Sequence, residues 1–174
     1  DMDFNGIISA VQNGVVDIGL AGMTVTPKRL ESVNFSNPYA KGVQVVIVKE
    51  GSDIKVIDDL AGKLIGVQEA TTGDIYSTDE FGEEFIKRYQ NGASAIAALQ
   101  EGIVDAVIID NEPAKAFVEE NKGLTILEAH YADEDYAIAV AKDNTELLEK
   151  INKALAELKA DGSIDKIVNK YIPS

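Results

Sequence analysis

A twelve-residue pattern occurs twice in this chain. Ala10-Val-Gln-Asn-Gly-Val-Val-Asp17-Ile-Gly-Leu-Ala21 and Ala98-Leu-Gln-Glu-Gly-Ile-Val-Asp105-Ala-Val-Ile-Ile109 share Ala, Gln, Gly, Val and Asp in place, at an offset of 98 − 10 = 88 residues. Each copy reads as the end of a helix, a Gly that stops it, and a β-branched strand. The offset is longer than the roughly 20–50 residues of a solenoid repeat, so it predicts two similar lobes, each with its own small α/β sheet. A helix-Gly-strand joint is also a generic αβ connection, and on that reading the echo says nothing about domains.

The rest of the chain alternates in the same manner. Short apolar, β-branched runs at Asp17 to Ala21, Val43 to Val48, Leu64 to Val67, Val104 to Ile109, Leu124 to Leu127 and Tyr136 to Ala141 are separated by helix-periodic stretches. That order predicts a largely parallel sheet covered on both faces. Asn5 to Asn13 reads as a short helix ended by Gly14, and Thr145 to Ala160 as a long one with Leu147, Leu148, Ile151, Ala154, Leu155 and Leu158 on its apolar stripe. Ser163 is expected to cap a last helix reaching Tyr171. The acidic stretch Ser77 to Glu84 reads as a surface insertion.

Composition narrows the function. The 16 Lys and Arg against 30 Asp and Glu leave a net charge of −14, which repels a phosphate backbone or an anionic membrane, so no nucleic-acid partner is expected. No apolar run approaches the roughly 18 residues that a membrane span needs, so no membrane insertion is expected. With 0 Cys and 1 His, His130, neither a disulfide framework nor a metal site is expected, and no cofactor is called for. The chain opens at Asp1 without an initiator Met and is read as trimmed from a longer precursor.

Polar clusters follow the strands, where open α/β sheets bind ligands. After the first copy comes Gly22-Met23-Thr24-Val25-Thr26-Pro27-Lys28-Arg29. Thr26 suits a cap and Pro27 the first helical position, while Arg29 offers a planar fork for a carboxylate and Gly22 allows close backbone approach. Arg29 alone is equally well a solvated surface charge. Gln68-Glu69-Ala70-Thr71-Thr72-Gly73-Asp74 forms a second donor cluster, without the Gly-Lys-Ser/Thr ending of a phosphate loop. Asp110, at the end of the second copy's strand, is placed either to face an ammonium or simply to cap the next helix. Together these groups suit a small zwitterion such as a free α-amino acid.

These residues resemble the extracytoplasmic, periplasmic amino-acid-binding proteins of ABC importers, solute-binding protein family 3. The resemblance runs from Met2-Asp3-Phe4-Asn5-Gly6 through Ala21-Gly22-Met23-Thr24, Val33-Asn34-Phe35-Ser36-Asn37-Pro38-Tyr39, Asp58-Asp59-Leu60-Ala61-Gly62-Lys63, Thr71-Thr72-Gly73 and Ile109-Asp110 to Leu158-Lys159-Ala160-Asp161-Gly162. It implies a two-lobed type II periplasmic-binding-protein-like α/β fold with two small mixed sheets flanked by helices. Lobe one would be residues 1–40 and 138–174, lobe two residues 41–137, with hinge crossings near 41–44 and 135–137. It implies that Thr24, Arg29 and Thr72, with Met23 and Thr71 beside them, hold the ligand carboxylate. Asp110, assisted by the Gly22 carbonyl, would hold the ammonium, and Phe4 and Gln68 would meet the side chain of an arginine-like or glutamine-like ligand. The partners implied are the amino acid and the importer's permease, in a periplasmic or extracellular location, with a lipid-anchored precursor allowed.

Relatives open with a strand, a helix and a second strand before the Met-Asp-Phe motif, and this chain starts at that motif. Lobe one is therefore expected to be incomplete, and a homo-oligomer, dimeric or segment-exchanged, is expected to cover the gap. Ala70 stands where relatives often carry Gly. An enzyme on the same fold, drafting Glu69, Asp133 or His130 as acid or base, is the alternative class. An engineered fragment whose property is association is a third.

Overall fold

The computed structural model describes residues 1–172; the last two residues of the expected lobe one lie outside them. Seven helices are present among them: α1 (Ile7–Gln12), α2 (Pro27–Ser32), α3 (Thr72–Phe81), α4 (Gly92–Glu101), α5 (Asn111–Glu120), α6 (Thr145–Ala160) and α7 (Ser163–Tyr171). The strands are β1 (Ile18–Thr24), β2 (Val33–Phe35), β3 (Ala40–Lys49), β4 (Ile65–Gln68), β5 (Ile86–Tyr89), β6 (Ala106–Asp110), β7 (Leu124–Ile126) and β8 (Ala132–Ala141). The chain sorts into two compact units, one made of Asp1, Asp3–Asn5 and Val43–Asp133, the other of Met2, Gly6–Gly42 and the residues from Glu134 onward.

In the first unit the strand order is β3-β6-β4-β5, with β7 beside β3. β4 runs parallel to β5 and to β6 because α3 and α4 serve as crossover helices, whereas β3 is antiparallel to β6 and β7. The sheet is thus mixed rather than largely parallel, since no crossover helix joins β3 to the strands that follow it. Successive residues of β3 and β6 feed opposite faces. Val45, Ile47, Val107 and Ile109 pack with Ala95, Ile96 and Leu99 of α4, while Val46, Val48, Ala106 and Ile108 pack with Ile54, Leu60, Ile65 and Val67. Burial on both faces explains why these strands are continuously apolar, and each large side chain removed from water contributes about 1.5–3 kcal/mol.

In the second unit β8 is the shared strand, with β1 and β2 paired antiparallel to it. Val11, Met23, Val33, Ala137, Ala139, Val140 and Leu155 are buried there. The apolar stripe expected along α6 is only partly covered: Leu155 is buried, and Leu158 remains exposed. β3 and β8 are each ten residues long, and the chain leaves one unit and enters the other within them.

The sequence echo corresponds to one backbone motif made twice, once in each unit. Gly14 and Gly102 both adopt left-handed φ, +67° and +76°, and close matching bonds: Val15 N–H to Ala10 O and Ile103 N–H to Ala98 O, each at 2.9 Å. A Cβ is strained at that φ, which is why both positions carry Gly.

Three local expectations are corrected. β2 and β5 were not anticipated, because three residues, or Ile-Lys-Arg-Tyr with its charged pair, give almost no periodic signal. Ser163 is the first residue of α7 and makes no side-chain cap; Gly162 occupies the cap position and Asp161 Oδ1 accepts the Ser163 N–H at 2.8 Å. Ser77 to Glu84, read as a surface insertion, carries α3 to its end at Phe81 and buries Ser77 fully.

Candidate functional site

In the second unit the turn from β1 into α2 collects four of the expected residues. Thr26 caps α2, its Oγ1 accepting the Arg29 N–H at 3.2 Å, and Pro27 takes the first helical position. The Arg29 side chain folds back so that Nη1 donates to the Thr24 carbonyl at 2.7 Å. Arg29 is buried, 8% exposed, so it is not a solvated surface charge. Thr24 is equally buried, and its Oγ1 has no hydrogen-bond partner. A buried orphan hydroxyl beside a buried guanidinium is costly unless a ligand satisfies it.

Gly22 lies in a stretch where the β1–β8 register shifts between Gly19 and Met23, so residues 20–22 break from the regular ladder. Its φ of +59° is left-handed, and its N–H donates to Tyr39 Oη at 3.1 Å. Nothing in the sequence marks the Tyr39 hydroxyl as the partner of a glycine 17 residues earlier. Met23 is corrected in one respect: its side chain is fully buried in the core, so only its main chain is available to a ligand.

In the first unit the turn from β4 into α3 holds Gln68, Thr71 and Thr72. Glu69 N–H goes to Tyr89 O at 2.9 Å, Ala70 N–H to Asp74 Oδ2 at 3.0 Å and Thr71 N–H to Gln68 O at 3.4 Å. Thr71 caps α3 by accepting the Asp74 N–H at 3.3 Å, and its hydroxyl donates to Gln68 O at 2.8 Å. The N–H groups of Thr72 and Gly73, both buried residues, find no acceptor among the described residues. They are the unclaimed first-turn donors of a ten-residue helix, the arrangement that receives a carboxylate.

Asp110 ends β6 and caps α5, accepting the Glu112 N–H at 3.2 Å. Its capping role is real, and the carboxylate is half-buried at the carboxyl end of its strand. Phe4, half-buried in a single 3-10 turn over Phe4–Gly6, stands with the first unit, where the expectation had it in lobe one. Its neighbours tie that segment down: Asn5 Nδ2 donates to Glu69 Oε2 at 2.9 Å and Gln90 Nε2 donates to Asp3 Oδ2 at 2.6 Å.

The residues that an enzyme would draft are engaged by neighbouring side chains. Glu69 is engaged by Asn5, and His130 lies 3.2 Å from Asp133, both exposed. Among the described residues no cluster of His, Cys, Asp or Glu could hold a metal ion, and no helix is long and apolar enough to cross a membrane.

Comparison with known proteins gives these residues a context. The sequence description of the bacterial extracellular solute-binding proteins, family 3, matches residues 1–174. The chain belongs to this family. Among its solute-binding relatives, the ABC transporter glutamine-binding protein GlnH of Bacillus subtilis is 34% identical over 167 residues, 95% of this chain and 61% of that protein. The ABC transporter arginine-binding protein 1 of Escherichia coli is 34% identical over 175 residues, 98% of this chain and 72% of that protein. The chain thus spans under two thirds of the first relative's length. Among solved structures, an ancestral arginine-binding protein bound to glutamine has a TM-score of 0.91 and 44% identity, covering 99% of this chain and 78% of that one. The relatives in this family are named as binding proteins of transporters, not as enzymes.

Proposed function

We propose that this chain binds a free polar L-amino acid, of the arginine or glutamine kind, for delivery to the permease of an ABC importer. The observation that carries the reading is a pair of buried donor groups: the unsatisfied Thr24 Oγ1 on the residue whose carbonyl holds Arg29 in one unit, and the Thr72 and Gly73 N–H groups in the other. Each is what a carboxylate would complete. In this reading Asp110 takes the ligand ammonium with help from the Gly22 carbonyl, Thr71 supports the donor loop, and Phe4 and Gln68 meet the ligand side chain. In this reading the second unit acts as lobe one and the first as lobe two, and the crossings within β3 and β8 are their hinges. The location is periplasmic or extracellular, in keeping with the family, and the chain turns over no substrate.

The test is a thermal-shift panel of the twenty L-amino acids followed by calorimetry. A ligand held only by the folded chain adds about 2.7 kcal/mol at a hundred times its Kd, so arginine or glutamine should raise the melting temperature clearly. A flat panel overturns the reading, and product formation from any ligand overturns the assignment as a binder.

We also infer self-association through β1. This strand ends the hydrogen-bonded order, and Ile18 and Leu20 are exposed on it, with Val15 exposed just before it.

A further inference from the structure

Asp74 is nine-tenths buried. Its carboxylate is the hub of the first unit's donor loop. Oδ2 accepts the Ala70 N–H at 3.0 Å, Oδ1 accepts the Thr78 hydroxyl at 3.2 Å, and Arg88 Nε reaches both oxygens, at 2.8 and 3.0 Å. Arg88 is itself held from its far side by Glu83, whose carboxylate takes both terminal guanidinium nitrogens, and Nη2 also donates to Thr78 Oγ1 at 3.0 Å. Arg88 stands on β5 opposite Val67 of β4, one residue from where β4 delivers Gln68 into the loop.

The held residue is a strained one. Ala70 has φ +64°, the sole positive value at a non-glycine position among the described residues. An alanine there costs more than a glycine, and the conformation persists only where neighbours over-determine it. The Asp74 carboxylate does so from one side, and the Thr71 hydroxyl bond to Gln68 O from the other. With the amides of Glu69, Ala70 and Thr71 all claimed, those of Thr72 and Gly73 are left as the loop's donors. We propose that Asp74 and Arg88 are positioning residues that lock the Gln68–Thr72 loop in the conformation that presents the Thr72 and Gly73 amides. A link to affinity rests on the amino-acid-binding reading; the link to loop conformation does not.

Amide exchange in the ligand-free protein, followed residue by residue, separates the two. In Asp74→Ala and in Arg88→Met, exchange at Ala70 and Thr71 should accelerate about tenfold or more, as loss of a charge-assisted hydrogen bond implies, while Val67 and Ile108 in the central strands keep their rates. Arg88→Lys, which retains charge without the fork, should restore protection only in part. Calorimetry with L-arginine should show affinity falling by a similar factor in both variants. Unchanged exchange at Ala70, or acceleration spread evenly over the sheet, overturns the proposal; should Asp74→Ala not fold, Arg88→Met alone decides. Local acceleration in a protein that binds none of the amino acids upholds the loop assignment and removes the binding reading instead.

Discussion

Arg29 Nη1 donates to the Thr24 carbonyl at 2.7 Å, so the guanidinium is fixed by the main chain of the residue whose hydroxyl stands unsatisfied beside it. The short segment between them is capped by Thr26 and begun with Pro27. A fork held this way pays little ordering entropy when a carboxylate arrives.

Arg29→Ala removes the fork and Asp110→Ala removes the acid proposed for the ammonium. Each should weaken binding of L-arginine at least about a hundredfold, the scale of a lost charge-assisted contact left unpaired. Arg29→Ala should also destabilise the second unit, since a buried side chain is lost, whereas Asp110→Asn should keep the α5 cap and separate binding from folding. Calorimetric affinities unchanged in both Ala variants contradict the assignment.

Ala70→Gly should stabilise the protein by roughly 0.5–1 kcal/mol, because relief of the left-handed strain exceeds the added unfolded-state entropy. For a chain of this size that is about 1–4 °C in melting temperature. Ala70→Val, β-branched at the same φ, should move the midpoint in the opposite direction. A scan of the three proteins by calorimetry decides the order.

Tyr131 supplies a pH signature. Burial, and then its 2.8 Å hydrogen bond to Glu80, push the phenol well above its ordinary 10.0. The folded value lies above the unfolded one, so the contribution is complete below pH 10 and is lost as pH rises beyond it. Chemical denaturation at pH 8 and at increasing alkaline pH should show declining stability, and Tyr131→Phe should flatten part of that decline. Equal slopes in the two proteins contradict this.

Leu20 is 58% exposed on β1 and Val15 73% exposed just before it. If β1 is the self-association surface, Leu20→Lys should shift sedimentation toward monomer, since a charge on an open edge opposes strand pairing. A wild-type chain that sediments as a monomer at all concentrations rejects the surface.

Much of the fold was legible because its strongest elements are local and periodic. α6 was readable to the residue from its acidic start, apolar spacing and terminal Gly162, and the β3 and β6 cores from runs that only a doubly covered strand sustains. β5 was not, because its pairing with β4, rather than its own Ile-Lys-Arg-Tyr, makes it a strand. Among the proposed site residues, Thr24, Arg29, Thr71 and Thr72 announced themselves by chemistry at strand ends. The Asp74–Arg88 clasp did not, since an acid and a base 14 residues apart look like ordinary surface charges until β5 lies beside β4.

The sequence by itself determined the two copies of the helix-Gly-strand joint, the caps at Thr26 and Thr71, and the family, because these depend on residue type and on neighbours within a few positions. Tertiary structure alone decided that Arg29 is buried and the Thr24 hydroxyl unsatisfied, that Met23 turns its side chain into the core, and that Ala70 is held in a left-handed turn. Those outcomes depend on which surfaces exclude water and which distant partners come within hydrogen-bonding distance, and only the packed chain specifies either.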